Sequence, residues 1–274
     1  MIPPFVDEQF VHDHPDAVLA DVRWYLDGRD GRAAFEDAHL PGAVWVDLDH
    51  HLAGTDQPAI EGRHPFPTPG DFAESMGSLG IGDDTVVVAY DDTGGLTAGR
   101  LVVMLRMLGR DASVLIGGLD AWDGQIEQGP GRVPTAAAFT PRDWPADRLA
   151  SADDVERIVA DGGAAIDARS HERFLGEVVQ IDKHPGHIPG ARSAPWTQVL
   201  DEHVQPRSIA ELRDHFRELG VDDAHEVVAY CGSGVSACMN VLAMEHAGLA
   251  LPRLYVASWS GWTADPSRLA ATGE

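Results

Sequence analysis

Residues 230–238 read Tyr-Cys-Gly-Ser-Gly-Val-Ser-Ala-Cys, between an apolar run at 226–229 and a helix-like stretch at 239–245. This order predicts a strand, a short glycine-rich loop and a helix, with Cys231 at the helix N-terminus. Backbone N–H groups and the helix dipole favour a thiolate there and can hold an anion beside it. Glycines after the cysteine let successive N–H groups point at one spot. We therefore interpret Cys231 as a nucleophile rather than as a small buried hydrophobe.

The composition is typical of a globular protein that works in water. The chain has 274 residues, of which 44% are hydrophobic and 23% charged, enough for one large or two medium domains. The formal net charge of −24 argues against nucleic acid and anionic membranes as partners. The first residues show neither a basic start nor an apolar run, so we expect a cytoplasmic protein.

The two cysteines, Cys231 and Cys238, form neither a disulfide framework nor a CxxC pair, and we expect Cys238 to be a core residue. His50 and His51 lie beside aspartates, but adjacent residues rarely project onto one ion. The sequence therefore predicts no metal site.

Four matches in constant order indicate that the chain contains two copies of one unit. The matched pairs are 19–23 with 165–169, 39–43 with 187–191, 79–90 with 219–230, and Trp122 with Trp262. Their offsets fall between 140 and 148 residues, which a tandem duplication explains better than chance. We predict an N-terminal domain at 1–133, a proline-containing linker at 134–148 and a C-terminal domain at 149–274.

Short β-branched runs alternate with helical patterns in each copy. In the first copy we predict strands at 18–22, 43–46, 85–89 and 113–116, and helices at 71–79 and 96–108. Nearly continuous apolar strands between helices are typical of a parallel sheet covered on both faces. The predicted fold class is α/β, with two tandem domains that each hold a parallel sheet flanked by helices.

Several of these motifs together resemble the tandem-domain rhodanese-like sulfurtransferases. They are the Asp-x-Arg strand end, the His-(Leu/Ile)-Pro-Gly-Ala turn, the loop at 230–236 and the closing Ser-Trp-Ser-Gly-Trp at 258–262. The resemblance covers essentially the whole chain and implies two rhodanese-like domains, the first inactive and the second catalytic. The sequence agrees, because Asp91 stands at the position that matches Cys231.

The resemblance implies an enzyme that carries sulfur as a persulfide on Cys231, by double displacement and without a cofactor. The loop at 231–236 contains no Lys or Arg and is similar to the Cys-Gly-(Ser/Thr)-Gly-Val-Thr pattern of relatives that use 3-mercaptopyruvate. We expect this small anionic donor, with thiosulfate as the alternative. Thioredoxin, a small thiol or cyanide is the expected acceptor.

The expected binding residues lie in the second copy. We assign contact with the donor to Gly232, Gly234, Val235 and Ser236 of the loop. Arg173 matches the family arginine that holds the substrate carboxylate. A second family arginine has no counterpart, and Lys183 or Gln180 stands in its region.

Three further residues are expected to assist Cys231. The Ser233 hydroxyl could relay a proton or cap the helix. Asp49 and His64, in the first copy, match residues that mercaptopyruvate-type relatives place opposite the cysteine. The segment between these two is the longest irregular stretch of that copy, which suits a loop that lines a cleft.

Two other functions are compatible with this fold. A phosphatase or arsenate reductase needs an arginine at the close of the cysteine loop, where this chain has Val235-Ser236-Ala237. A non-catalytic binding or sensing module would have lost the chemistry in both copies, whereas the loop around Cys231 is intact.

Overall fold

The computed structural model describes residues 1–179, 181–182, 184–221 and 224–274, and these form two compact units. The first unit comprises Met1–Thr55, Phe66–Trp144 and His203–Gln205, and the second comprises Asp56–Pro65, Pro145–Glu202 and Pro206–Glu274. The segment Asp56–Pro65 thus belongs to the second unit, although it lies within the first copy in the sequence. The matches between the copies gave no sign of this, because they fall on strand ends, turns and loops outside this segment.

The first unit holds a parallel sheet of five strands in the order β1-β5-β4-β2-β3. The strands are β1 (Phe5–Val6), β2 (Val18–Asp21), β3 (Val44–Trp45), β4 (Val87–Tyr90) and β5 (Ala112–Leu115). The helices are α1 (Glu8–Asp13), α2 (Gly31–Asp37), α3 (Leu48–His51), α4 (Pro69–Ser78) and α5 (Ala98–Met107).

The second unit holds a parallel sheet of four strands in the order β7-β6-β8-β9. The strands are β6 (Ala164–Asp167), β7 (Arg192–Ser193), β8 (Val227–Tyr230) and β9 (Arg253–Leu254). The helices are α6 (Ala152–Ala160), α7 (His171–Leu175), α8 (Ile209–Glu218), α9 (Ala237–His246) and α10 (Ser258–Trp262).

Burial of the central strands explains the layered architecture. All four residues of β4, β6 and β8 are buried, so helices and connecting segments cover both faces of each sheet. Capping boxes at Ser151 and Ser208 fix where α6 and α8 begin. The predicted fold class, two α/β units with parallel sheets, is confirmed. None of the helices in the described ranges is long and apolar enough to span a membrane.

The repeated Asp-x-Arg motif forms the same buried ion pair in both units. Arg23 donates through Nε and Nη2 to Asp21 at the end of β2, and Arg169 does the same to Asp167 at the end of β6. Each arginine also donates to a backbone carbonyl, that of Ala38 or Gly186. The motif therefore ties the end of a central strand to the turn that follows it.

The repeated histidine of the His-x-Pro-Gly-Ala turn is also structural. His39 stacks on Phe35 at 4.0 Å between ring centroids, and His187 stacks on Phe174 at 3.7 Å. In both copies the Nδ1 atom lies 2.8 Å from the carbonyl oxygen of the same phenylalanine. The histidine thus recurs in both copies as a buried ring held against a phenylalanine.

Part of the predicted linker is anchored to the first unit. Ala137 donates its N–H to the Gly77 carbonyl, and the Ala138 carbonyl accepts from Asp83. Thr140 donates to both carboxylate oxygens of Asp83. Residues 137–140 thus lie along the end of α4 and the turn after it.

The loop after β4 closes around the carboxylate of Asp91, which is 1% exposed. Oδ1 accepts from the N–H groups of Thr93 and Gly95 at 2.9 and 2.8 Å. Oδ2 accepts from the N–H groups of Thr97 and Ala98 and from the Thr97 hydroxyl, at 2.9 to 3.0 Å. One carboxylate thus accepts hydrogen bonds from four N–H groups and one hydroxyl of the loop.

Replacing Asp91 with alanine should destabilise the first unit by about 3 kcal/mol or more, because four N–H groups, three of them buried, would lose their acceptor. The midpoint of urea unfolding measures the loss. Asp84→Ala removes an exposed carboxylate of the same unit and is expected to leave the midpoint nearly unchanged. Equal midpoints for the two variants would contradict the structural role of Asp91.

Candidate active site

Cys231 lies where the chain leaves β8, the strand that pairs with both β6 and β9. The loop Cys231–Ser236 connects the end of β8 to α9, and it is buried except for the half-buried Ser236. Ligands of open parallel sheets bind at the carboxyl ends of the strands, where such loops gather. The strand, loop and helix predicted around Cys231 are therefore present, with the cysteine 2% exposed.

The loop surrounds the Cys231 sulfur with hydrogen-bond donors. The N–H of Gly234 lies 3.1 Å from Sγ, and Gly234 has φ 75°, a left-handed conformation that turns this N–H inward. The Ser236 hydroxyl and the N–H groups of Ser233 and Ala237 also act on the thiolate. Four donors, three from the loop and one from the first residue of α9, thus converge on one sulfur atom.

These donors offset the cost of a buried charge. Burial by itself raises the pKa of the Cys231 thiol, as does the nearby charge of Asp167. Hydrogen bonds from the Ser236 hydroxyl and from the N–H groups of Ala237 and Ser233 outweigh both effects, so the pKa lies below its ordinary value. The site therefore stabilises the thiolate, the reactive form of cysteine, more than water does.

The start of α10 supports the same loop from behind. The Ser258 hydroxyl accepts the N–H of Cys231 at 3.1 Å, and Trp259 donates its N–H to the Cys231 carbonyl at 2.9 Å. Ser258 adopts φ 52°, a left-handed conformation that is energetically unfavourable for any residue other than glycine. The matching residue of the first unit, Gly118, has φ 55°. The second copy thus bears a serine where the backbone favours glycine, and its hydroxyl serves the cysteine.

His64 lies beside Ser233 in the second unit, since Asp56–Pro65 belongs to that unit. The Nδ1 atom of His64 is 2.8 Å from the Ser233 hydroxyl, and both side chains are 7% exposed. The structure thus brings together two of the predicted site residues, one from each copy of the sequence.

Close backbone contact holds the segment Asp56–Pro65 against α10. A Cβ atom on Gly62 would lie 2.4 Å from the Ala257 carbonyl, and one on Gly261 would lie 2.5 Å from the Ile60 carbonyl. Arg63 donates its N–H to the Ser260 hydroxyl at 3.1 Å. Glycine at both positions therefore permits the approach that places Arg63 and His64.

Two arginines flank the residue after the cysteine. A Cβ atom on Gly232 would lie 3.0 Å from a guanidinium nitrogen of Arg173 and 3.0 Å from one of Arg63. Both arginines contact Asp182: Arg63 donates to Oδ1 at 2.8 Å, and Arg173 donates to Oδ2. Arg173, the predicted carboxylate-binding residue, thus lies next to the loop, and so does Arg63, which was not predicted.

Asp182 is an ionised carboxylate in this arrangement. It is 7% exposed, and a third guanidinium, that of Arg169, lies 3.5 Å from Oδ2. Burial raises the pKa of Asp182, but the charge of Arg173 and the hydrogen bond from Arg63 lower it below its usual range. The carboxylate therefore carries its charge near neutral pH.

Asp49 and Val235, two further predicted residues, make other contacts. Asp49 is exposed in the first unit, where its carboxylate accepts a hydrogen bond from the Trp24 indole at 2.9 Å. Lys183 and Gln180, the suggested replacements for the second family arginine, lie outside the described residues. Val235 is buried, and its carbonyl accepts the N–H of Cys238.

Within the described ranges, no group of three or more His, Cys, Asp and Glu side chains could hold a metal ion.

Sequence reasoning missed Arg63, Asp182 and Ser258. The available signal for Arg63 was its place directly before His64, a predicted site residue. A single arginine in an irregular stretch belongs to no recognisable motif. Asp182 lies between the two residues suggested as cationic replacements. Ser258 is the first residue of the Ser-Trp-Ser-Gly-Trp motif, but its hydrogen bond to the Cys231 N–H is visible only in the structure.

Comparison with known protein families accounts for both copies. The rhodanese-like domain family matches residues 9–125 and again residues 151–265, most of the chain. The chain belongs to the rhodanese-like family. The two matches coincide with the two copies inferred from the internal repeat.

Rhodanese-like proteins of similar length align with almost the whole chain. A Pseudomonas aeruginosa protein, provisionally named a 3-mercaptopyruvate sulfurtransferase, is 38% identical and covers 95% of this chain and 94% of its own. A Mycobacterium tuberculosis protein, SseB, provisionally named a thiosulfate sulfurtransferase, is 36% identical over 93% of this chain and 90% of its own.

A solved rhodanese-like structure has the same fold. It is SseA from Escherichia coli, titled as a 3-mercaptopyruvate sulfotransferase, with a TM-score of 0.82 and 30% sequence identity. The superposition covers 94% of this chain and 99% of SseA. The similarity extends over both rhodanese-like domains.

Replacing Ser236 with alanine is expected to shift the alkylation of Cys231 to higher pH, because the thiolate would lose a hydrogen bond. At neutral pH the rate with iodoacetamide should fall several-fold. Mass spectrometry of the peptides separates Cys231 from Cys238. Ser267→Ala, distant in sequence from the loop, serves as the control, and a Ser236→Ala profile that coincides with it would contradict the assigned hydrogen bond.

Proposed function

We propose that this protein is a sulfurtransferase that takes a sulfur atom from 3-mercaptopyruvate, holds it as a persulfide on Cys231 and passes it to a thiol or cyanide. The second unit is the catalytic one and the first is non-catalytic. Thioredoxin or a small cytoplasmic thiol is the acceptor class that we infer. The observation that carries the proposal is the ring of donors around the Cys231 sulfur.

The first unit supports the interpretation of this ring. Its matching loop holds the two oxygens of Asp91 with four N–H groups and a hydroxyl. A carboxylate bears its charge on atoms beyond the side-chain carbon, much as a persulfide bears charge on its outer sulfur. With Cys231 in place of Asp91, the loop can therefore stabilise a negative sulfur bonded to Sγ.

The first half-reaction forms the persulfide. The Cys231 thiolate attacks the thiol sulfur of 3-mercaptopyruvate, so that a sulfur–sulfur bond forms while the carbon–sulfur bond breaks. The electron pair of the broken bond moves to carbon and gives the enolate of pyruvate. The proton lost from the donor thiol is regained at that carbon, so charge and protons balance. The contact between His64 and Ser233 offers a route for this proton.

The second half-reaction restores the enzyme. An acceptor thiolate attacks the outer sulfur, the bond to Sγ breaks, and its electron pair remains on Sγ as the Cys231 thiolate. The acceptor leaves as a persulfide, or as thiocyanate when cyanide is used. The same donors that lower the pKa of Cys231 make this thiolate a good leaving group.

The choice of donor rests on the charge of the loop and its surroundings. The loop Cys231–Ser236 carries no cationic side chain, so a doubly charged thiosulfate would find few partners in the loop itself. Arg173 and Arg63 beside Gly232 suit one carboxylate group. Thiosulfate is the second candidate donor, consistent with the name of the M. tuberculosis relative.

Treatment with 3-mercaptopyruvate should raise the intact mass of the protein by one sulfur atom, and thiosulfate should do so more slowly. The two cysteines provide a matched pair of variants. Cys231→Ser should abolish the mass increase and the turnover, whereas Cys238→Ser should retain both. A mass increase that survives Cys231→Ser would contradict the proposal.

His64→Gln should lower kcat with 3-mercaptopyruvate about 100-fold, because the carbon of the leaving enolate must be protonated. Sulfite leaves from thiosulfate without gaining a carbon-bound proton, so turnover with thiosulfate should fall much less. Steady-state rates with both donors measure the difference, and His12→Gln, an exposed histidine of the first unit, is the control. Equal losses with both donors would refute the proton role.

A further inference from the structure

The anion site beside Cys231 contains a carboxylate of the protein itself. Asp182 accepts hydrogen bonds from Arg63 and Arg173, the two arginines whose guanidinium groups flank Gly232. These arginines keep some exposure, with 32% and 18% of their side-chain surface accessible, whereas Asp182 keeps 5%. A bound donor can therefore reach the two cations more readily than the aspartate.

The charges of the described groups can be counted. Arg169 is balanced by Asp167, which it contacts through two nitrogens at the end of β6. Arg63 and Arg173 together carry two positive charges, and Asp182 cancels one of them. Among these five side chains one net positive charge remains, before the negative charge of the Cys231 thiolate is counted.

A cavity next to these residues leaves room for a small anion. It has a volume of about 470 Å³ and is lined in part by Ala59, Arg63, Ile181, Asp182, His184 and Ser260. Ser260 also donates its N–H to the Gly232 carbonyl, so the cavity wall continues into the loop of Cys231. Arg63 thus borders both the cavity and the reactive loop, and Asp182 borders the cavity.

We infer that Asp182 is a specificity-determining residue, which sets the charge of the donor site so that a singly charged donor is preferred to a doubly charged one. This inference rests on the proposed function, because it names what that donor site selects. A 3-mercaptopyruvate carboxylate would neutralise the remaining positive charge. Thiosulfate would bring a second negative charge close to the Asp182 carboxylate, and charges near one another under partial burial interact strongly.

The alternative role for Asp182 is purely structural. In that role the carboxylate holds Arg63 and Arg173 in place, and its loss would weaken the binding of every anion alike. The two roles predict opposite effects of neutralising Asp182 on a dianion. A variant that keeps the shape of the side chain, Asp182→Asn, separates them.

Binding to a protein that cannot transfer sulfur gives the sharpest test. In the Cys231→Ser background, calorimetry near neutral pH and at fixed ionic strength would compare pyruvate, a monoanion, with thiosulfate, a dianion. We expect pyruvate to bind more tightly than thiosulfate. Asp182→Asn should raise the affinity for thiosulfate relative to that for pyruvate at least tenfold.

Two further variants complete the comparison. Arg63→Gln removes one positive charge and should weaken the binding of thiosulfate more than that of pyruvate. Asp161→Asn makes the same charge change as Asp182→Asn at an exposed position and should leave the ratio unchanged. A measured unfolding midpoint for each variant confirms that it is folded.

Three results would overturn the inference. They are an unchanged affinity ratio in Asp182→Asn, an equal loss of affinity for both anions, and no binding of either anion by the Cys231→Ser protein. None of these depends on sulfur transfer, which is tested separately by the mass of the protein with Cys231 intact. A wrong inference about Asp182 is thus distinguishable from a failure of the proposed sulfur transfer.

Discussion

The convergence of backbone N–H groups at the end of β8 is the constraint on which the site depends. A short loop between a buried strand and a helix must place its polar groups somewhere, and here they point at the side chain of the first loop residue. An anion at that residue satisfies them, whereas an apolar side chain would leave buried donors without acceptors. The loop therefore selects an anionic group, and the chemistry depends on which group that is.

The two copies place different anionic groups at this position. In the first unit the group is the Asp91 carboxylate, which is fixed and unreactive, so the loop is a structural element. In the second it is the Cys231 thiolate, which can form a further bond. The change extends to the supporting backbone, where Gly118 corresponds to Ser258 at nearly the same positive φ. The serine accepts a less favourable conformation and supplies a hydroxyl to the Cys231 N–H.

Sequence reasoning reached the fold and the reactive loop because both leave local signals. Apolar runs such as 226–229 mark buried strands, and glycines after Cys231 mark a loop that curls around it. Arg63 and Asp182 leave no such signal. Arg63 and Asp182 come together because the segment Asp56–Pro65 packs against α10 within the second unit, through Gly62 and Gly261. Such a tertiary contact leaves no periodic pattern in the sequence. The sequence offers Lys183 or Gln180 in the region of the missing family arginine, whereas Arg63 comes from a distant part of the sequence.

Because Arg63 joins Arg173 beside the loop, the carboxylate of Asp182 that contacts both affects how strongly anions bind there. Two arginines beside a thiolate would hold many kinds of anion, and selectivity then depends on how much of their charge remains available. Burying Asp182 between them costs desolvation, which the two guanidinium groups offset. The same contacts reduce the attraction for a ligand with two charges more than for a ligand with one. Selectivity at this site is therefore a property of the balance among three side chains, all of which lie outside the loop and two of which, Arg63 and Asp182, lie outside the recognised motifs.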